Sequence, residues 1–278
     1  KKHLLRLLQY QKDYWRKRCT IHWIQFGDEN SKFFKTVATE RYRRNCISSL
    51  KNANDEIVDD HARKESVLFE AFKARMGQAN PLPMKFKLDH LLKDEEIFTN
   101  LVAPFTNKEI DDVVASMPPD HAPGPDGFNG AFLKACWPIL KEDFYLLCEE
   151  FHRGGLNLES INDGYITLIP KTKSPHTVND FRPITLLNCC LKLITKILAN
   201  RLQNIILKLV HQNQYGFLHG RSIHDCLAWA FEYIHQCQAS KKEIVLLKLD
   251  FAKAFDTIEH SAMLLIMRKM GFPPKWLT

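Results

Sequence analysis

The sequence predicts an α+β chain whose strands come late. Residues 185–210 hold the clearest amphipathic pattern, with Ile194, Ile197, Leu198, Leu202, Ile205 and Leu209 recurring at helical spacing. Residues 164–170 (GYITLIP) and 243–250 (EIVLLKLD) are short aliphatic runs that read as strands, the second buried and ending in an acid. Helical periodicity fills most of the remaining length, so a sheet begun near the C-terminus is expected to be left unfinished.

The other elements follow from local signals. Residues 1–19 read as a helix with Leu4, Leu5, Leu8 and Trp15 near one face. Residues 20–51 interleave rings and cations: Trp23, Phe26, Phe33, Phe34, Arg41, Tyr42, Arg43 and Arg44. A helix near 62–76 ends before Gly77, and Asn80-Pro81-Leu82-Pro83 marks a linker near 77–84. Thr106-Asn107-Lys108-Glu109 reads as a capping box ahead of Ile110, Val113, Val114 and Met117, with Pro118-Pro119 as the stop. Residues 128–152 read as a helix with Pro138 as a candidate kink and Gly154-Gly155 as its end. A further helix starts at Ser222 with Ile223, Cys226, Leu227, Ala230 and Ile234 inward, and another spans 258–270 up to Gly271. Two domains are expected, 1–100 and 101–278.

Charge is unevenly placed. The net charge is +7, yet residues 1–51 carry 13 Lys+Arg against 4 Asp+Glu. A basic segment ahead of a near-neutral body points to a polyanionic partner, or else to a solvated basic helix. The eight cysteines form no Cys-x-x-Cys pair, which argues against zinc; buried free thiols in a reducing compartment are expected. No apolar run reaches bilayer-spanning length. The chain starts at Lys1 rather than Met, so a cut N-terminal edge is expected.

Four constellations carry chemistry. In Leu249-Asp250-Phe251-Ala252-Lys253-Ala254-Phe255-Asp256, an apolar strand delivers Asp250 to its C-terminal end. A carboxylate fixed there suits a magnesium ligand for nucleotidyl transfer, and Phe255 suits a ring beneath a sugar. A helix-capping Asp with a core Phe suits the same pattern equally. In Ile166-Thr167-Leu168-Ile169-Pro170-Lys171 and Asp180-Phe181-Arg182-Pro183-Ile184, a strand and a return segment each present one cation. Lys171 as a point charge and Arg182 as a planar fork suit a triphosphate, or stand as two surface cations. His121-Ala122-Pro123-Gly124-Pro125-Asp126-Gly127-Phe128 is a rigid turn whose exposed N–H groups suit phosphates, or a purely structural turn. In Gln214-Tyr215-Gly216-Phe217-Leu218-His219-Gly220-Arg221-Ser222, Gly220 permits close backbone approach, Arg221 brings charge and Ser222 suits a helix cap.

The order of these motifs closely resembles LINE-type (non-LTR retrotransposon) reverse transcriptases: APGPDGF, LIPK, FRPITLLN, QYGF-x-x-GRS, LDFAKAFD, over roughly residues 120–278. Upstream, Tyr14-Trp15, Trp23, Gly27-Asp28-x-Asn30 and Phe33-Phe34 look like the segment preceding the polymerase in plant LINE elements. The resemblance implies polymerase fingers and a partial palm over 101–278, behind a basic helical region. It implies that Asp250 and the Phe251 carbonyl bind metal, with two Mg2+ ions in the intact enzyme. It implies that Lys171 and Arg182 bind the triphosphate and that Phe255 is the sugar gate. Gly124, Asp126 and Gly127 match a template-contacting turn, and Arg221 matches a position near template and primer. His121, where many relatives carry Lys, departs from the pattern. The implied partners are an RNA template, a DNA primer or target and deoxynucleoside triphosphates, in the nucleus or cytoplasm, with no membrane. The family's paired aspartates would fall downstream of Thr278, so the fragment is expected not to polymerise alone. A non-catalytic nucleic-acid-binding remnant and a group II intron maturase-like protein are the alternatives.

Overall fold

The computed structural model describes residues 2–19, 31–76, 98–251 and 254–277. Trp23, Phe26, the Gly27–Asn30 stretch, the linker near 77–84 and the side chain of Phe255 lie outside the described residues. The fold is a mixture of helix and strand, mostly helix, and it divides into two compact units.

The first unit takes Lys1–Ala74 together with Ile166–Thr185. Helix α1 (Lys2–Cys19) packs against α2 (Ser31–Asn45), where Lys35 Nζ lies 5.8 Å from the Trp15 ring centre. Strands β1 (Leu50–Lys51) and β2 (Ile57–Val58) form a short antiparallel hairpin, Leu50 opposite Val58. Its turn is held by Asn52, whose side-chain oxygen accepts from the Asn54 and Glu56 N–H groups. Helix α3 (His61–Met76) follows, and Lys64 Nζ donates to the carbonyls of Ile47 and Ser48. Strands β3 (Gly164–Pro170) and β4 (Phe181–Leu187) pair as a second hairpin. Its loop meets β1 through the Lys51 N–H, which donates to the His176 carbonyl at 2.7 Å. Phe34, Leu50, Phe72 and Phe181 are the large buried side chains of this unit.

The second unit takes Arg75–Tyr165 and Leu186–Thr278. Its main core joins α4 (Asn107–Ser116), α5 (Gly130–Arg153) and α6 (Cys189–Leu209). Ile110, Val113 and Val114 meet Leu133, Phe144 and Cys148, with Cys189, Leu193 and Ile197 from α6. Full burial of each aliphatic side chain is worth about 1.5–3 kcal/mol, so this three-helix contact dominates the unit. Asn129 caps α5 by accepting from the Phe132 N–H, and Gly154 ends it at φ +79°, a left-handed conformation suited to glycine. A smaller cluster gathers Phe98, Leu101 and Phe272 with Leu202, Ile205 and Leu209.

Helix α6 starts later than the pattern suggests. Residues 185–187 continue β4, because Pro183 holds the segment extended and Asn188 stays extended before the helix. Helix α7 (Ile223–Ala239) starts where expected, with Ser222 accepting from the His224 N–H. Its expected inward face is covered in part: Cys226, Ala230 and Ile234 are half-buried, whereas Ile223 and Leu227 are exposed, and Cys237 is buried. A one-turn helix α8 (Ala254–Thr257), then α9 (His260–Lys269) and α10 (Pro274–Leu277), complete the described elements; Gly271, at φ +84°, follows α9. Cys46 is exposed, Cys136, Cys190 and Cys226 are half-buried, and Cys148, Cys189 and Cys237 are buried free thiols.

Candidate functional site

The turn at 122–128 is built onto the start of α6. Gly124 sits so close to β4 that an added Cβ would lie 2.2 Å from the Leu187 carbonyl oxygen. The Gly127 N–H donates to the Gly124 carbonyl and closes the turn at a positive φ of +72°. The Asp126 carboxylate accepts from the Phe128 N–H at 3.1 Å and from the Cys189 N–H at 2.6 Å, so it caps α6 from a distance. The Asp126 N–H donates to Asn188 Oδ1, and Asn188 Nδ2 reaches the Ile161 carbonyl. Lys192 Nζ donates to the Ala122 carbonyl. Partial burial raises the Asp126 pKa, but the bonds from Cys189 and Phe128 and the charge of Lys192 outweigh it, leaving the carboxyl below its usual value. The N–H groups of residues 126, 127 and 128 all serve this internal network, so the turn does not present them to phosphates as the sequence suggested. Next to it, the Cys189 thiol is pushed up, and Cys190 down, by the hydrogen bond between them.

Lys171 and Arg182 stand on one hairpin of the first unit. Lys171 follows β3 directly; its N–H donates to the Asp180 carbonyl and its Nζ to the Asn179 carbonyl at 3.0 Å. Arg182, on β4, is exposed and has no hydrogen bond or ion pair among the described residues. Asp180 closes the intervening loop by accepting from the His176 N–H, the Thr177 N–H and the Thr177 hydroxyl. Those bonds, the backbone bond from Thr177 foremost, hold its carboxyl below the usual range.

Asp250 belongs to the second unit, and its surroundings correct the sequence reading. Residues 242–251 form no strand and are exposed, Leu246 to 77% and Phe251 to 80%. The run is apolar enough for a buried strand, but no neighbouring strand pairs with it among the described residues, so it has no ladder to complete. The Asp250 carboxylate is exposed. Among the described residues no group of three or more His, Cys, Asp or Glu side chains is placed to hold a metal ion.

The loop 211–222 spends Arg221 on itself. Its Nη1 donates to the His211 and Gln214 carbonyls at 2.8 and 2.7 Å. Gly220 takes a positive φ of +82°, which suits glycine, and has no protein atom within 4 Å of an added Cβ.

Residues 169–278 match the family model described as reverse transcriptase (RNA-dependent DNA polymerase). Over that stretch the chain is similar to reverse transcriptases. The relatives are proteins of non-LTR retrotransposons. The 149 kDa protein of transposon TX1 from Xenopus laevis is 28% identical over 90% of this chain, which covers 19% of that protein. The RNA-directed DNA polymerase from mobile element jockey of Drosophila melanogaster is 24% identical over 88% of this chain, covering 26% of the relative. The type-1 retrotransposable element R2 polyprotein of Popillia japonica is 30% identical over 38% of this chain and 14% of its own length. The chain thus spans about a fifth of the length of the relatives it matches.

Within the matched stretch, Arg201 is the residue that sequence reasoning missed. It rises from α6 into a bidentate pair with Glu109, at 2.7 and 2.8 Å. It also donates to the carbonyls of Leu101, Ala103 and Pro104 and lies 4.3 Å from the Phe105 ring centre. The capping box at 106–109 is therefore half formed. Thr106 accepts from the Glu109 N–H, but the Glu109 carboxylate goes to Arg201 instead of back to the cap. The Asp111 carboxylate accepts from Trp137 Nε1 and from the Tyr145 hydroxyl, which that bond holds up at about 12. Asp111 is accordingly a packing residue of α4, while Asp112 is exposed. No helix among the described residues is long and apolar enough to cross a membrane.

Proposed function

We propose that this chain carries the fingers and the start of the palm of a LINE-type RNA-directed DNA polymerase, a nucleotidyltransferase that copies RNA into DNA. One observation carries the reading: the family match over residues 169–278 begins inside LIPK and contains FRPITLLN, QYGF and LDFAKAFD in polymerase order. On this reading residues 1–100 are the basic helical region ahead of the polymerase and 101–278 the polymerase itself. The plant-like character rests on Tyr14-Trp15, Trp23, Gly27-Asp28-x-Asn30 and Phe33-Phe34.

The residue roles follow. Lys171 and Arg182 clamp the triphosphate of a deoxynucleotide, a role supported by their shared hairpin and by the uncommitted guanidinium of Arg182. Phe255 selects the sugar. Asp250 supplies one carboxylate, beside the Phe251 carbonyl, toward magnesium. A lone carboxylate does not hold two ions, and the described residues do not by themselves fit a two-metal centre. No metal-dependent step is therefore assigned to them alone. Gly124, Asp126 and Gly127 act on the template through the shape of their turn. RNA template, DNA primer and deoxynucleoside triphosphates are the partners, in the nucleus or cytoplasm.

The test is primer extension on an RNA template by the longest polypeptide that the encoding locus yields. Asp250→Ala should abolish extension, and Lys171→Ala or Arg182→Ala should raise the KM for deoxynucleotides. Undiminished extension by Asp250→Ala rejects the metal-ligand role.

A further inference from the structure

We propose that Ser174 is a phosphorylation site, and that the phosphate it takes competes with the deoxynucleoside triphosphate for the cations of the β3–β4 hairpin. The inference rests on the polymerase reading of Lys171 and Arg182 and adds a means of regulating them. Of the 13 prolines, only Pro175 follows a serine or threonine, so Ser174-Pro175 is the one place in the chain that suits a proline-directed kinase.

The loop between the two strands presents Ser174 in a form that a kinase cleft accepts. Thr172, Lys173 and Ser174 are exposed. Pro175 disfavours helical backbone at Ser174, which suits the extended form in which kinases take a substrate. Residues 172–175 make no hydrogen bond, backbone or side-chain, among the described residues. The anchors of the loop lie on either side of them. The Lys171 N–H donates to the Asp180 carbonyl, and the His176 carbonyl accepts from the Lys51 N–H. The Asp180 carboxylate holds the His176 and Thr177 N–H groups. Residues 172–175 therefore enter an enzyme's cleft without breaking a hydrogen bond. Thr177 lacks this freedom, because its hydroxyl donates to Asp180.

The charge around Ser174 favours a phosphate. Residues 171–179 contain no Asp or Glu, and they carry Lys171, Lys173 and His176. Lys173 is exposed and makes no hydrogen bond or ion pair among the described residues. Lys171 gives one bond to the Asn179 carbonyl, which leaves its charge and further N–H groups for an anion. A phosphoserine brings a charge of about −1.5 to −2 at pH 7 and three acceptor oxygens. In the transfer, the Ser174 oxygen bonds to the γ-phosphorus of ATP and the bond to the departing ADP breaks. The hydroxyl proton passes to the kinase's catalytic base. The product is a dianion in the loop that Lys171 and Arg182 flank, where it draws on their charge and repels an incoming triphosphate.

The experiment treats the full 278-residue chain with a proline-directed kinase and ATP, then locates phosphate by mass spectrometry. One phosphate on Ser174 is expected, and Ser174→Ala should take none. No phosphate on the native wild-type chain, or phosphate at other residues only, overturns the site. The second readout is titration with a fluorescently labelled deoxyadenosine triphosphate, with a melting curve for each form. Phosphorylated wild type should bind it about five- to thirty-fold more weakly than the unmodified chain, as two added charges beside surface cations imply. Potassium chloride should narrow that gap by screening. Ser174→Ala should bind like unmodified wild type, with or without kinase treatment. The melting temperature should stay within a few degrees, because residues 172–175 have no hydrogen bond to lose. Equal binding by the two forms of wild type overturns the competition while leaving the clamp reading of Lys171 and Arg182 intact. Weaker binding with a much lower melting temperature also overturns it, since the hairpin itself then fails. Absence of triphosphate binding by unmodified wild type overturns the clamp reading and the competition together, and the phosphate map still decides the site.

Discussion

Asp126 joins two segments that lie more than sixty positions apart, and its worth should show in pH as well as in mutation. Its folded pKa is depressed, so the stability it contributes is fully present above the unfolded carboxyl value, near 3.9, and is lost as pH falls through the lower folded value. Asp126→Ala should cost about 1–2 kcal/mol in urea unfolding at neutral pH, and that gap should close below about pH 4. Gly124 tests the same contact through sterics. Gly124→Ala forces backbone against backbone at Leu187 and should cost about 3 kcal/mol, with no pH dependence. Arg201 is half-hidden and fully engaged, with 11% of its side chain exposed against 24% for Glu109. Arg201→Ala should cost about 2–4 kcal/mol, because Glu109 and three carbonyls lose their donors together. Arg201→Lys should recover only part of this, since an ammonium cannot form the paired fork.

At the scale of elements, local signals were legible where local physics decides. Thr106 and Ser222 cap the helices they were expected to start, and Gly154 and Gly271 fall where helices end. The pattern in 185–210 located α6, although Leu193, as buried as Ile194 and Ile197, was not singled out. What failed depends on distant partners. The Glu109 carboxylate is taken by a guanidinium 92 positions away, and no window around Thr106 contains that fact. The aliphatic run 243–250 has the composition of a buried strand, but burial requires a neighbouring strand and composition cannot supply one. The same holds for the exposed Ile223 and Leu227 of α7. Among the site residues, the pairing of Lys171 and Arg182 on one hairpin was readable because the connecting loop is short; the internal commitment of Asp126 and Arg221 was not. Hydrogen exchange should follow this division. Amides of residues 242–251 should exchange near the rate of an unstructured chain, while those of α4, α5 and α6 around Val113, Leu133 and Leu193 should exchange slowest. Protection of 242–251 comparable to α6 would show that this run has a ladder partner after all.

At the scale of the whole molecule, the net charge of +7 is concentrated in residues 1–51, and α2 ends in exposed Arg41, Arg43 and Arg44. Each cation on a phosphate releases counterions and steepens the dependence of log K on log salt by about 0.7 for a single strand. Replacing Arg41, Arg43 and Arg44 together with Gln should therefore flatten that slope by about 2. Its melting temperature should stay within a few degrees of wild type, because the replaced residues are exposed. The measurement is RNA binding across a potassium chloride series for wild type and the triple variant. A triple variant with the wild-type slope would mean that the basic helices do not touch the nucleic acid, and their charge would then belong to a solvated surface.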